Sequence, residues 1–260
     1  MADYQATKIQ GETLGTSTTY ATLGIRPTYD QFILFQPTTD FRLALNPALI
    51  GAVFYDASGD TGSQYIDSGG DLVRNLADRN TANGTGTVLD GAATGDKLYL
   101  CFSAPVRGVR VVIGSANSTA NTTISAKYRK NDDTWAALSV TDGTDSGGVG
   151  LAQTGDITWT AVSDWKSAQL VGPNGIVSND TTGEITTIKG FWVQVAWDEA
   201  LDADTEIDEL WTINQDVDYA YFRADTEYSF VVDKHQVGAI EVDLASGTGT
   251  LQVTWVRTIH

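Results

Sequence analysis

Lys97-Leu98-Tyr99-Leu100-Cys101-Phe102, followed by Val109-Arg110-Val111-Val112-Ile113, Thr122 to Arg129 and Trp135 to Val140, decides the fold class. These runs are rich in β-branched and aromatic residues, are strand-sized, and are separated by Gly, Asn, Asp and Thr turns, the pattern of short antiparallel strands. The same texture extends upstream through Thr19 to Ile25, Gln31 to Phe35 and Asp40 to Leu45. Downstream it continues at Asp156 to Thr160, Phe191 to Trp197, Glu206 to Ile213, Tyr219 to Arg223, Tyr228 to Val232, Ala239 to Leu244 and Thr250 to Arg257. Two segments read as short helices: Asn46 to Val53, and Asp71 to Arg79, where Asp71 is a candidate cap and Leu72, Val73 and Leu76 share a face. Strands without crossover helices predict an all-β protein built from sandwiches or barrels.

The texture changes twice. Residues 56 to 95 are rich in Gly, Asp, Asn and Thr, and the acidic stretch Gln215-Asp216-Val217-Asp218 precedes a new set of strands. Residues 56–213 hold six of the seven tryptophans and enough strands for an antiparallel β-sandwich. Residues 1–55 and 214–260 each supply too few strands for a separate core, so they are expected to pair into one smaller, discontinuous β domain with the sandwich inserted between them.

The chain has 260 residues, 42% of them hydrophobic and 19% charged. A globular chain of this size buries roughly 70% of the surface its unfolded form exposes. Acidic residues outnumber basic ones by 33 to 16, for a net charge of −17. Such a surface repels a phosphate backbone, so no nucleic-acid partner is expected. The excess of acid also suits a high-salt environment. The N-terminus lacks the basic patch and apolar run of a cleaved signal, and Leu43 to Tyr55, the most apolar stretch, is interrupted by Asn46, Pro47 and Gly51. Neither export nor membrane insertion is expected. Sequons at Asn83, Asn117, Asn121 and Asn179 read as chance products of an Asn- and Thr-rich chain.

Enzyme chemistry finds few footholds. Cys101 is the only cysteine, and its strand context marks it as a small apolar filler. His235 lies at a strand end and the other histidine is His260, so no triad is indicated. No G-x-S-x-G, G-x-x-x-x-G-K-[ST], H-E-x-x-H or C-x-x-C pattern occurs. The run Asp198-Glu199-Ala200-Leu201-Asp202-Ala203-Asp204-Thr205-Glu206-Ile207-Asp208-Glu209 gathers carboxylates whose mutual repulsion predicts a solvated loop and strand. Asp56, Asp60, Asp67 and Asp71 form a second cluster in a Gly-Ser-rich loop, a candidate site for calcium, which takes hard oxygen ligands. Trp159, Trp192 and Trp211 lie inside apolar strands and are expected in the core. Trp135 and Trp165 follow turns and are the candidates for an exposed ring that stacks on a ligand.

One stretch carries a resemblance. Ala126-Lys127-Tyr128-Arg129-Lys130-Asn131-Asp132-Asp133-Thr134-Trp135-Ala136-Ala137-Leu138 is followed by Thr141-Asp142-Gly143-Thr144, by Gly155-Asp156-Ile157-Thr158-Trp159, by Ser163-Asp164-Trp165 and by Gly190-Phe191-Trp192-Val193-Gln194-Val195. This order resembles the jelly-roll-like β-sandwich module of virion structural proteins of tailed phages and tailed archaeal viruses, in which a Y-x-x-G-x-W hairpin precedes D-x-T, G-x-I-x-W, x-D-W and G-Y/F-W-V-R. The likeness covers about a third of the chain. It departs at Asn131-Asp132, where the module has glycine, and at Gln194, where it often has arginine.

The resemblance implies a non-enzymatic virion structural protein, assembled in the host cytoplasm and placed on the capsid exterior as an auxiliary or decoration protein. Its partners would be the major capsid protein or tail proteins, and a homo-oligomer, a trimer at a local three-fold, fits the class. Phe32, Phe35, Phe41, Tyr219, Tyr221, Phe222 and Trp255 of the flanking domain are the candidate docking residues. The alternative is a tail or baseplate protein whose sandwich binds carbohydrate or a receptor through Trp135 and Trp165, with calcium as a helper. An acid-base glycosidase would need two convergent carboxylates, which no linear pattern shows.

Overall fold

The computed structural model describes residues 4–14, 21–24, 32–57, 61–63, 72–77, 86–89, 92–169, 189–214, 220–230, 237–244 and 249–258. In chain order the strands are β1 (Tyr4–Leu14), β2 (Ala21–Gly24), β3 (Phe32–Pro37), β4 (Phe41–Pro47), β5 (Leu49–Asp56) and β6 (Thr61–Ser63). Helix α1 (Leu72–Ala77) precedes β7 (Thr87–Val88), β8 (Lys97–Phe102), β9 (Val106–Ser115), β10 (Ile124–Arg129) and β11 (Trp135–Ala137). There follow β12 (Val140–Asp142), β13 (Gly155–Trp159), β14 (Ser167–Gln169), β15 (Lys189–Trp197) and β16 (Glu206–Asn214). The last four are β17 (Ala220–Phe222), β18 (Tyr228–Phe230), β19 (Val237–Leu244) and β20 (Gly249–Thr258). The protein is nearly all β, and the strand pairs are antiparallel.

The chain separates into two compact units, Met1–Ala48 with Asp216–His260, and Leu49–Gln215. The change of sequence texture places the first boundary at residue 55/56. The contacts set it at 48/49, because β5 pairs along its length with β8, Ala52 opposite Leu100 and Phe54 opposite Leu98. That pairing also corrects the helix expected over Asn46 to Val53. The segment is the end of β4 and most of β5. Its continuous apolar run is that of a strand buried on both faces: Ala52 joins the main core while Val53 and Tyr55 join a second cluster on the other side. The second short helix forms as α1, with Leu72 and Leu76 one turn apart and buried.

In the discontinuous unit, two four-stranded sheets have the orders β1-β20-β3-β18 and β17-β4-β19-β2. Each sheet mixes strands from both ends of the chain: Gln5 pairs with Arg257, and Leu43 with Val242. Phe41 is fully buried, stacked on Phe222 at 5.0 Å and meeting Tyr228 edge-on at 6.1 Å.

The middle unit contains a seven-stranded sheet, β11-β10-β15-β8-β5-β6 with β14 on β15, and a five-stranded sheet, β12-β13-β9-β16-β7. Alternation assigns the faces. Leu98, Leu100 and Phe102 of β8, Ala126 and Tyr128 of β10, and Val193 and Val195 of β15 enter the same buried cluster as Val109 and Val111 of β9, Ile157 and Trp159 of β13, and Ile207 and Leu210 of β16. Both sheets thus contribute to one hydrophobic core. Edge strands β6, β11 and β12 are three residues each, short enough to offer little template for further pairing.

Gly190, in β15, lies against β8 so closely that a Cβ there would come within 2.5 Å of the Cys101 sulfur and 2.6 Å of the Phe102 carbonyl. Gly190→Ala is therefore expected to lower stability by about 1–3 kcal/mol through overpacking, measured as a shift of the urea midpoint with unchanged slope. An unshifted midpoint would contradict this registry.

Candidate functional site

Trp165, expected to be exposed, is buried at 8% exposure and belongs to the core. The backbone explains the correction. Asn131 N donates to Asp164 O at 2.9 Å and Lys166 N donates to Arg129 O at 3.0 Å, so the loop after β13 is clamped to the β10–β11 hairpin and its indole turns inward. The ring meets Tyr128 and Phe191 edge-on at 5.8 and 6.2 Å and Trp159 at 6.5 Å. Tyr128 and Phe191 come from the seven-stranded sheet and Trp159 from the five-stranded one. Trp165 is the wedge between them, and its Nε1 donates to the Trp192 carbonyl at 3.2 Å.

Trp135 is half-buried on the opposite side of the seven-stranded sheet, beside the second cluster of Val53, Tyr55, Tyr99, Cys101 and Trp192. Tyr99 meets its ring edge-on at 5.5 Å, and the Arg129 guanidinium lies over it at 5.9 Å. The position where a sugar would stack is shared with a cation already in place. Trp192, as expected, is fully buried.

Charged residues converge on the tip of the β10–β11 hairpin. The Tyr128 hydroxyl donates to Asp164 Oδ1 at 2.6 Å, a bond that, with burial, pushes the phenol up to about 12. Lys130 Nζ lies 3.4 Å from Asp132 and 3.6 Å from Asp164. Lys166 Nζ donates to both oxygens of Asp133 at 3.0 and 3.1 Å, which holds that carboxyl below its usual range. Asp132 accepts the Thr134 hydroxyl at 2.6 Å and the Thr134 N–H at 3.1 Å, and these bonds hold it down at about 2. Asp133 adopts φ 67°, a left-handed turn position that Asp tolerates. The cluster ties the hairpin to the Trp165 loop, each carboxylate being matched by a lysine or by backbone and hydroxyl donors.

The acidic run divides. Asp198, Glu199 and Asp204 are exposed, as the repulsion argument expects. Glu206, Asp208 and Glu209 are instead 4%, 4% and 1% exposed, which corrects the solvated reading for this part. β16 is an interior strand between β9 and β7, so its flanks are covered whatever its charge. Glu206 accepts the Gly86 N–H at 2.8 Å and Glu209 accepts the Trp211 indole at 2.6 Å. A Cβ on Gly114 would clash with the Asp208 carboxylate, so that glycine is what gives the carboxylate room. The register slips between Ile207 and Glu209; the bulge keeps both Ile207 and Leu210 in the core, a three-residue step that plain alternation misses.

Of the proposed calcium ligands, Asp56 ends β5 opposite Thr61, while Asp60, Asp67 and Asp71 lie outside the described residues. Among the described residues no group of three or more His, Cys, Asp or Glu is placed to hold a metal ion. His235 is also outside them. Burial pushes the Cys101 thiol up, which keeps it a neutral filler.

Among the docking candidates, Phe41 is a core residue and not a surface one, because the Phe222 and Tyr228 rings close over it. Phe222 is half-buried. Phe32, Phe35 and Trp255 sit in one sheet, on β3 and β20, and Tyr221 on β17; Tyr219 and the side chains of those four lie outside the described residues. The sequon at Asn117 is closed to glycans, since its buried amide donates to Thr122 Oγ1 and Gly150 O at 3.1 and 3.0 Å.

Compared with protein-family models, curated proteins and solved structures, the chain matches none.

Two outcomes follow from the hairpin geometry. Trp165→Ala should lower stability by about 3–5 kcal/mol, as for other large aromatic deletions from a core, with a smaller loss for half-buried Trp135→Ala; equal small losses would contradict the wedge. Because the folded carboxyl of Asp132 titrates below its ordinary 3.8, its contribution is complete above that pH and is lost as pH falls to about 2. Carbon-detected NMR titration should show that depressed midpoint in the native chain and its return toward 3.8 in Thr134→Ala. An ordinary midpoint in the native chain would refute it.

Proposed function

We propose that the protein is a non-enzymatic virion structural component, an auxiliary or decoration protein on the capsid exterior of a tailed virus. In this reading the middle unit is a jelly-roll-like sandwich, and the discontinuous unit docks on the major capsid protein. The observation that carries it is the placement of the residues behind the resemblance. Tyr128, Trp159 and Phe191 each meet the Trp165 ring between the two sheets, while Trp135 and Trp192 pack on the other side of the seven-stranded sheet, so the aromatic residues of the shared spacing serve packing. A building block needs that: a rigid module whose aromatic residues are used internally.

The acidic surface supports an outward position, since 33 acidic against 16 basic residues disfavour contact with packaged nucleic acid. The alternative, a tail or baseplate protein that binds carbohydrate through Trp135 and Trp165, is weaker, because Trp165 is the core wedge and Arg129 already lies over Trp135.

Quantitative mass spectrometry of purified particles tests the proposal. The chain should be present in a fixed ratio to the major shell protein; its absence from washed particles would refute it. A copy number of only a few per particle would move it to the tail. Glycan-array binding that disappears in Trp135→Ala would favour the alternative.

A further inference from the structure

Three loops of the middle unit are bonded to one another: residues 116–123 between β9 and β10, residues 143–154 between β12 and β13, and residues 198–205 between β15 and β16. The first is tied to the second by neutral groups. Asn117 N donates to Leu151 O at 3.0 Å, Gly150 N donates to Thr122 O at 2.9 Å, and the buried Asn117 amide donates to Gly150 O at 3.0 Å. The third loop has a neutral anchor of its own, on the segment before β8. Leu201 N donates to Ala92 O at 2.9 Å, and Trp197 Nε1, at the end of β15, donates to Ala93 O at 3.0 Å. The Leu201 side chain is in the main core.

The contact between the first and third loops is of another kind, because its short bonds end on carboxylates. Asp198 accepts the Thr123 N–H at 2.6 Å. Asp202 accepts the Ser118 N–H at 2.6 Å and the Ser118 hydroxyl at 2.5 Å, both on Oδ2. A longer bond, Asp202 N to Asn117 Oδ1 at 3.2 Å, joins the same loops without a carboxylate. Residues 92–96, 116–123, 143–154 and 198–205 contain no lysine, arginine or histidine, so the two acids are held by neutral donors. The other charged groups on these segments and beside them are acids. Asp96 accepts the Ala57 and Ala93 N–H groups, Asp142 the Thr144 N–H and hydroxyl, Asp145 the Gly148 N–H, and Glu206 the Gly86 N–H; Glu199 and Asp204 are exposed. Like charges oppose ionisation. Yet the Thr123 N–H for Asp198 and the Ser118 hydroxyl for Asp202 hold both carboxyls below their ordinary 3.8. The bonds are therefore complete above that pH and weaken as it falls further and the acids take up protons, since a neutral carboxyl is a poorer acceptor than a carboxylate.

We infer that the contact between residues 116–123 and 198–205 is an acid-released latch: when Asp198 and Asp202 are protonated the two loops part, while each stays bonded to its neutral anchor and both sheets stay folded. The latch is independent of the virion reading, since it uses no partner.

Amide protection factors of the full chain, read by two-dimensional NMR from about pH 6 down to about pH 2, test it. Acid leaves the 16 basic residues and 2 histidines charged, so the titration is run at about 0.5 M salt to screen their repulsion and separate the latch from general acid unfolding. Ser118 and Thr123 should lose protection by about tenfold or more, the scale of a hydrogen bond to a charged acceptor, with a midpoint below 3.8. The amides of Asn117, Gly150 and Leu201, and those of Leu100 and Val193 in the sheet, should keep theirs. In D198N/D202N the protection of Ser118 and Thr123 should already be reduced at about pH 6 and change little on acidification. If that variant fails to fold by near-ultraviolet circular dichroism, the native titration decides alone. Ser118 and Thr123 protected down to about pH 2, loops and sheets losing protection together at one pH, or a folded D198N/D202N chain protected like the native one would overturn the inference.

Discussion

Four buried indole N–H groups find backbone acceptors, and these bonds organise the middle unit; the Trp135 Nε1 is the exception, buried with no hydrogen-bond partner among the described residues. Trp159 donates to Val106 O, Trp165 to Trp192 O, Trp192 to Ala168 O and Trp197 to Ala93 O, at 2.8 to 3.2 Å. Each bond joins a large ring to backbone remote in sequence, so satisfying the donor also fixes a strand end or a loop. An indole stripped of such a partner forfeits part of what its burial contributes. The rings therefore act as fasteners as well as filling. Trp165 does both at the point where the sheets meet, and the loop that delivers it is held by the hairpin tip.

That dependence explains why the polar network lies where it does. The Lys166–Asp133 pair is exposed and the Lys130–Asp164 pair half-buried, and pairs open to solvent individually contribute little. Together with the Tyr128–Asp164 bond and the two backbone bonds between the hairpin and the Trp165 loop, they fix the entry of one aromatic residue. Surface charge here positions a core residue. The acids of β16 illustrate the opposite case: Glu206 and Glu209 are buried by topology and made tolerable by the donors of Gly86 and Trp211.

Much of the fold was legible in the sequence because period-two patterning is a local signal. The short strands, the burial of Cys101, Trp159 and Trp192, and the helix at Leu72–Ala77 all follow from nearest-neighbour pattern. The errors arose where a long-range partner decides. Leu49–Asp56 is apolar without alternation, and only its pairing with β8 makes it a strand. Trp165 follows a polar turn, as an exposed residue would, and only the hydrogen bonds to Arg129 and Asn131 turn it inward. The buried carboxylates of β16 look like a solvated acidic run until the strands on either side are known. Of the candidate site, the hairpin tip was visible as a turn between aromatic strands, but its role as a clamp needs the distant Asp164 and Lys166.

The most direct test of the account is hydrogen exchange of the indole N–H signals, followed by two-dimensional NMR on the native chain. If the rings are internal fasteners, the Nε1–H groups of Trp159, Trp165, Trp192 and Trp197 exchange slowly, with protection near that of the core strands. Rapid exchange at Trp159 and Trp165 in the folded protein would place those rings in water and contradict the account.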